Sequence, residues 1–305
     1  MWLITHASGL AHDTGQMHPE NIQRLRAIER ALAAPEFNGL TRVDAERADQ
    51  SAIARVHDGD YIERILAAVP SSGQTHIDGD TAVSPGSGEA ALRAAGAACQ
   101  AVDAVISGAT NRAFCAMRPP GHHAEPNRAM GFCLFNNIAV GAAHARAAHA
   151  LERVAIVDFD VHHGNGTQAM VAGQSGYFYG SSHQSPLFPG TGQRREGIPG
   201  NLCNVPLADG TGSDEFRQRF RDEIMAEVDA FEPQLILISA GFDAHRRDPL
   251  AGLELDEADF TWVTEEIVAA AKRHCNGRVV ATLEGGYDLE ALAASAAAHV
   301  RALMS

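Results

Sequence analysis

The sequence lacks most of the features that would take it out of the ordinary globular class. It holds only 5 cysteines, Cys99, Cys115, Cys133, Cys203 and Cys275, widely spaced and with no C-x-x-C pair. That pattern argues against a disulfide framework and fits reduced thiols in a cytoplasmic protein. No run approaches the ~18 consecutive apolar residues that a membrane span needs. The opening residues Met1-Trp2-Leu3-Ile4-Thr5-His6 lack a basic segment and a long apolar one, so no secretory leader is expected. Positive charge is scarce: 24 Lys+Arg against 38 Asp+Glu give a formal net charge of -14. An acidic surface repels nucleic acid and anionic membranes, so neither is expected as a partner, and it tolerates cationic substrates. Internal repeats, low-complexity tracts and linker-like shifts of composition are missing as well. One domain over residues 1–305 is expected, long enough to bury roughly three quarters of its unfolded surface.

Short β-rich runs alternate with longer helical patterns. Strands are expected at Trp2–Thr5, Ala113–Met117, Val154–Phe159, Tyr177–Ser181, Leu235–Ser239 and Val279–Leu283. Runs such as Val154-Ala155-Ile156-Val157 are apolar without alternation, which means burial on both faces of a parallel sheet. Helices are expected over Glu89–Ile106 and Asn136–His149. A third follows Ser213 as N-cap, with Phe216, Phe220, Ile224 and Val228 on one stripe, and a fourth follows Asp256. Strand–helix alternation over the whole length predicts one doubly wound α/β domain. Residues 70–85 and 182–200 read as long surface loops, the kind that often carry function.

Polar residues cluster where the apolar runs end. Val157-Asp158-Phe159-Asp160-Val161-His162-His163-Gly164-Asn165 follows one strand; in extended geometry Asp158, Asp160 and His162 fall on one side. Unpaired acids beside so apolar a strand are costly, and a metal ion accounts for them. Ser239-Ala240-Gly241-Phe242-Asp243 ends another strand and offers Asp243 as a third ligand. Two carboxylates, one imidazole and an open position make a catalytic zinc pattern. Arg118-Pro119-Pro120-Gly121-His122-His123-Ala124-Glu125 puts two imidazoles on an irregular loop, as acid–base candidates beside a metal-activated water. Asp158 and Asn165 are the available partners for their far nitrogens. Leu283-Glu284-Gly285-Gly286-Tyr287-Asp288 adds a glycine turn and a tyrosine hydroxyl.

These stretches, with Met130–Asn137, Phe188–Gly192 and the early His18-Pro19-Glu20, resemble the zinc-dependent histone deacetylases, in particular the class II-like bacterial members. The resemblance implies an open, mostly parallel, eight-stranded sheet with helices on both faces, shared with arginases. It implies one zinc ion on Asp160, His162 and Asp243. His122, His123 and Tyr287 become catalytic, with His123 as base, Asp158 orienting the first histidine and Asn165 the second. It also implies a potassium ion near Asp158, Asp160, His162 and Ser181. The tunnel would be lined by Gly131, Phe132, Phe188, Leu250, Gly285 and Gly286.

The expected reaction is deacetylation of N-ε-acetyl-lysine or a related acylated primary amine. Acetylpolyamine-specialised members can carry a glutamate where Leu250 stands, so a polyamine or other small amide is the alternative. An arginase-like dimetal hydrolase is disfavoured because His163 and Gly164 occupy positions where more acids are needed. A non-catalytic acyl-lysine binder is disfavoured because no expected position is vacant. Glu125, Arg128, His183, His245 and Arg246 are expected to be solvated rim residues. The oligomeric state is open.

Overall fold

A computed structural model describes residues 1–305. Ten strands occur in chain order: β1 (Trp2–Thr5), β2 (Thr41–Asp44), β3 (Thr75–His76), β4 (Ala82–Val83), β5 (Arg112–Cys115), β6 (Val154–Asp158), β7 (Tyr177–Gln184), β8 (Leu202–Leu207), β9 (Leu235–Ala240) and β10 (Val279–Leu283). Eight of them form one sheet in the order β2-β1-β5-β10-β9-β6-β7-β8. Every pairing in it is parallel. β3 and β4 make a small antiparallel hairpin inside the expected 70–85 loop.

Period two along the strands explains the two-sided burial. Val154 and Ile156 of β6 face a 24-residue core with Leu235 and Leu237 of β9. Ala155 and Val157 face a 41-residue core with Ile236 and Ile238. The first core is closed by the helices Ser87–Ser107 and Asn137–His149, the second by Glu257–His274 and Leu289–Met304. Burying such aliphatic side chains is worth ~1.5–3 kcal/mol each, which makes the central strands the rigid part of the molecule.

The α/β expectation holds, with local differences. β2 and β8 are edge strands that were not foreseen. Thr41-Arg42-Val43-Asp44 is mostly exposed and pairs only with β1. β8 contains Pro206, which an edge strand tolerates because one side needs no ladder hydrogen bond. β7 runs to Gln184, three residues past the expected end. Ser213 is not the N-cap of its helix. Gly212 is, and the Ser213 hydroxyl instead donates to Asp259 Oδ2 at 2.8 Å. That helix carries a π-turn over Phe220–Met225 that the regular stripe did not announce. Asp256 caps its helix as expected, in a capping box with Asp259.

Candidate active site

Strand order decides where the polar motifs meet. β5, β10, β9 and β6 are consecutive neighbours at the centre of the sheet. Being parallel, they release their following loops at one edge, where ligands of open α/β sheets bind. The loop after β5 carries the tandem histidines, that after β6 Asp160 and His162, that after β9 Asp243, and that after β10 Tyr287.

Asp160, His162 and Asp243 come together, with ligand atoms all within 4.8 Å of one another. Phe159 and Val161 point into the core, so the alternation read from the sequence continues past the end of β6. His162 Nδ1 lies 3.1 Å from Asp160 Oδ1 and 3.1 Å from Asp243 Oδ2. Backbone amides fix the carboxylates: Val161 donates to Asp243 Oδ1 at 2.9 Å and Gly285 to Asp160 Oδ2 at 2.7 Å. A Cβ at Gly285 would stand 1.9 Å from Asp243 Oδ2, so only glycine leaves room. Burial works against a charged imidazole, yet the hydrogen bonds and charges of Asp160 and Asp243 pull His162 up to about 10. Two buried carboxylates therefore favour positive charge at this point. A divalent metal on the Nδ1 lone pair meets the same demand, and the N,O,O donor set suits zinc.

The tandem histidines lie alongside with ring centroids 4.0 Å apart. His122 Nδ1 is 3.0 Å from Asp158 Oδ2, which also accepts the Tyr179 hydroxyl at 3.0 Å. His123 Nδ1 is 2.8 Å from Asn165 Oδ1. The partners differ in charge, and the imidazoles differ accordingly. Against the opposing effect of burial, Asp160 and Asp158 raise His122 to about 10. Burial and the neighbouring His122 and His162 hold His123 well below its ordinary value. The two imidazoles are therefore pushed in opposite directions, His122 up and His123 down.

Tyr287 is anchored by its amide, which donates to Asp248 Oδ2 at 2.7 Å, and its ring lies 4.9 Å from Arg24 Cζ. Burial raises its phenol well above the ordinary value in spite of Arg24, so the hydroxyl keeps its proton. Phe132 stands edge-on to Tyr287 at 5.9 Å, and Phe188 edge-on to His123 at 5.1 Å. Phe188 is 41% exposed, as a lip residue is. Gly131 and Phe132 both have positive φ, +56° and 68°. Their amides donate to Asp80 Oδ1 and Thr81 Oγ1, each at 3.2 Å, which holds the bend. Leu250 is half-buried, its amide on Asp248 Oδ1 at 3.0 Å. Ser181 sits beside Asp158 in the β6–β7 register.

Two of the expected rim residues are in fact buried. His183 is 0% exposed, tied to Ser181 Oγ and the Gly192 carbonyl, and His245 is 2% exposed, its Nδ1 accepting from the Arg247 amide. Arg128 and Arg246 are exposed, and Glu125 is half-buried against Asn165. Sequence reading missed the second layer: Glu20 bonds both Arg118 and Arg24, all three fully buried. Burial would raise Glu20, but Arg118 brings it down to about 2. Arg24 in turn reaches the Gly286 and Glu284 carbonyls. The signal was present, as charged residues inside otherwise apolar motifs.

A histone deacetylase domain matches residues 18–303. The chain belongs to the histone deacetylase family. Curated relatives include the histone deacetylase-like amidohydrolase of Pseudomonas aeruginosa, 39% identical over 89% of this chain and 73% of that protein. A probable deacetylase of Archaeoglobus fulgidus is 36% identical over 94% of this chain and 81% of that protein. The type-2 histone deacetylase 2 of Dictyostelium discoideum is 35% identical, and there this chain spans only 20% of the relative's length. Among solved structures, the crystal structure of the HDA15 HD domain matches with TM-score 0.94 and 33% identity, over 99% of this chain and 88% of that one. Membership of this family places the chain among deacetylases and amidohydrolases, that is, hydrolases. No helix of this family member is long and apolar enough to cross a membrane.

Proposed function

We propose that this chain is a zinc-dependent deacetylase acting on N-ε-acetyl-lysine or a closely related acylated primary amine. The observation that carries the reading is the convergence of Asp160, His162 and Asp243 with the paired imidazoles of His122 and His123 and the Tyr287 loop at one edge of the sheet. Asp160, His162 and Asp243 would hold the zinc ion. Zinc bound there supplies Lewis-acid polarisation of the amide carbonyl and a water of lowered pKa. His123, neutral and oriented by Asn165, takes the attacking water's proton. The Tyr287 hydroxyl donates to the oxyanion that develops on the carbonyl carbon's oxygen. His122, hydrogen-bonded through Nδ1 to Asp158, donates toward that negative charge, and the histidine pair returns a proton to the departing amine. Phe132 and Phe188 flank the acyl-lysine methylenes. By resemblance to the family, Asp158 and Ser181 with the Asp160 and His162 carbonyls would hold a structural potassium ion. A reduced, cytoplasmic protein fits five free cysteines.

Leu250 offers no charge to a substrate ammonium, which favours the peptide over a polyamine. The test is kcat/KM for acetate release from an acetyl-lysine peptide and from an acetylated polyamine, measured side by side with zinc. A large preference for the peptide supports the reading. A large preference for the polyamine overturns the Leu250 argument. Activity that survives complete chelation overturns zinc dependence.

A further inference from the structure

Two buried carboxylates lie outside the chemistry just described. Glu284 is fully buried, and its Oε2 accepts two successive backbone amides, Gly121 at 2.7 Å and His122 at 3.1 Å. Its Oε1 faces the Ser239 and Thr282 hydroxyls at 3.4 and 3.3 Å. Asp248, 7% exposed, repeats the arrangement. Its Oδ2 accepts from Tyr287 at 2.7 Å and Asp288 at 3.4 Å, and its Oδ1 from Leu250 at 3.0 Å.

The chain order of these bonds is informative. Asp248 belongs to the segment that follows the ligand Asp243, and it grips the Tyr287 loop. Glu284 belongs to the Tyr287 loop, and it grips the tandem-histidine loop. We propose that Asp248 and Glu284 are positioning residues, a two-step relay of hydrogen bonds that fixes Tyr287 and then His122 and His123 relative to the ligand cluster. The inference rests on the deacetylase reading for its catalytic readout and deepens it.

The physical need is plain. Both loops are irregular, so their amides have no ladder partners, and a buried unsatisfied N–H is costly. A carboxylate oxygen accepts two donors where a carbonyl of a neighbouring strand is absent, and the bonds are charge-assisted. Burial pushes both carboxyls up to about 7, Asp248 with help from the charge of Asp243, against the amide bonds that lower them. Catalysis is sensitive to this kind of placement: an error of about 1 Å in a reacting group costs on the order of 100-fold.

The role is hydrogen-bond acceptance, and this separates it from a purely electrostatic one. Glu284→Ala removes the acceptor; Glu284→Gln keeps an acceptor oxygen and removes the charge. In zinc-loaded full-length protein, E284A is expected to lower kcat about 100-fold with KM within about twofold, and E284Q to recover most of that loss. D248A and D248N are expected to behave as the corresponding pair. One equivalent of tightly bound zinc remains in all four. A second readout needs no activity: in wild type the Gly121 and His122 amides are protected from hydrogen exchange, and E284A exposes them while E284Q does not. E284Q as inactive as E284A, in folded zinc-loaded protein, overturns the proposal. So does E284A with wild-type kcat. If E284A fails to fold, E284Q decides alone: kcat near wild type supports the proposal and a loss of about 100-fold in folded, zinc-loaded protein overturns it. Wild type inactive on every acylated amine sinks the deacetylase reading, and the exchange data then judge the relay by themselves.

Discussion

Two groups of carboxylate and imidazole lie at opposite ends of the same sheet. Asp160, His162 and Asp243 are buried where the central strands end. Asp103, His144 and His149 are at least partly exposed, on two helices that finish just before β5 and β6 begin. In both, three ligand-type atoms lie within 4.8 Å. The surroundings differ. In the surface group both imidazoles converge on one oxygen, Asp103 Oδ1, at 2.7 and 2.6 Å. Arg55 Nη1 is 2.9 Å from His144 Nδ1, so that nitrogen is the acceptor and Nε2 carries the proton. The group is satisfied as a hydrogen-bonded clasp between helices, and Arg55 already brings positive charge to it. In the buried group the acids are held by backbone amides, away from water, with the His162 imidazole between them. Residue types alone do not distinguish the two groups; burial and backbone support do.

The sharpest way to break this contrast is to remove one ligand. D243A is expected to lose bound zinc and fall to background deacetylation, as read by metal content and acetate release; retained zinc would refute the buried assignment. Y287F keeps the metal and should lose roughly 10²–10³ in kcat, the usual cost of one oxyanion donor. Acid sensitivity comes next. His299 is buried among Phe114, Phe159 and Phe242, and burial lowers it from 6.5 to about 3. The unfolded chain therefore takes up this proton first. Stability is full above pH 6.5 and falls as pH drops toward 3, at a slope of at most about 1.4 kcal/mol per pH unit for one group. Denaturation midpoints of H299L across that window should show a shallower slope than wild type by about one proton. The smallest effect belongs to the surface clasp. H144A with H149A should leave kcat/KM and zinc content unchanged and cost no more than about 1 kcal/mol of stability. A second tightly bound zinc that disappears in that double variant would erase the contrast.

The central strands were legible because their apolar runs are uninterrupted and end abruptly in Asp or His. The same abruptness marked Asp160, His162 and Asp243 as candidates for one site. β2 and β8 escaped because an edge strand needs only one hydrogen-bonded neighbour and carries little apolar pattern. Ser182, His183 and Gln184 read as loop because their polar side chains hide a buried strand, His183 and Gln184 being satisfied by internal partners. Glu284 and Asp248 were equally hidden. Their meaning depends on which amides they face, and those amides are 162 or 163 residues away for Glu284 and 39 or 40 for Asp248.

The strand order also has a consequence for how the molecule comes into being. β5 and β6 follow each other along the chain, yet they are not neighbours in the sheet. β9 and β10, made much later, lie between them. During synthesis the two early strands therefore expose inner edges until residues 235–283 have emerged and inserted. The middle of the sheet can close only after those residues are made. Asp243 follows β9 and Tyr287 follows β10, so no nascent chain ending before Tyr287 holds every residue of the site.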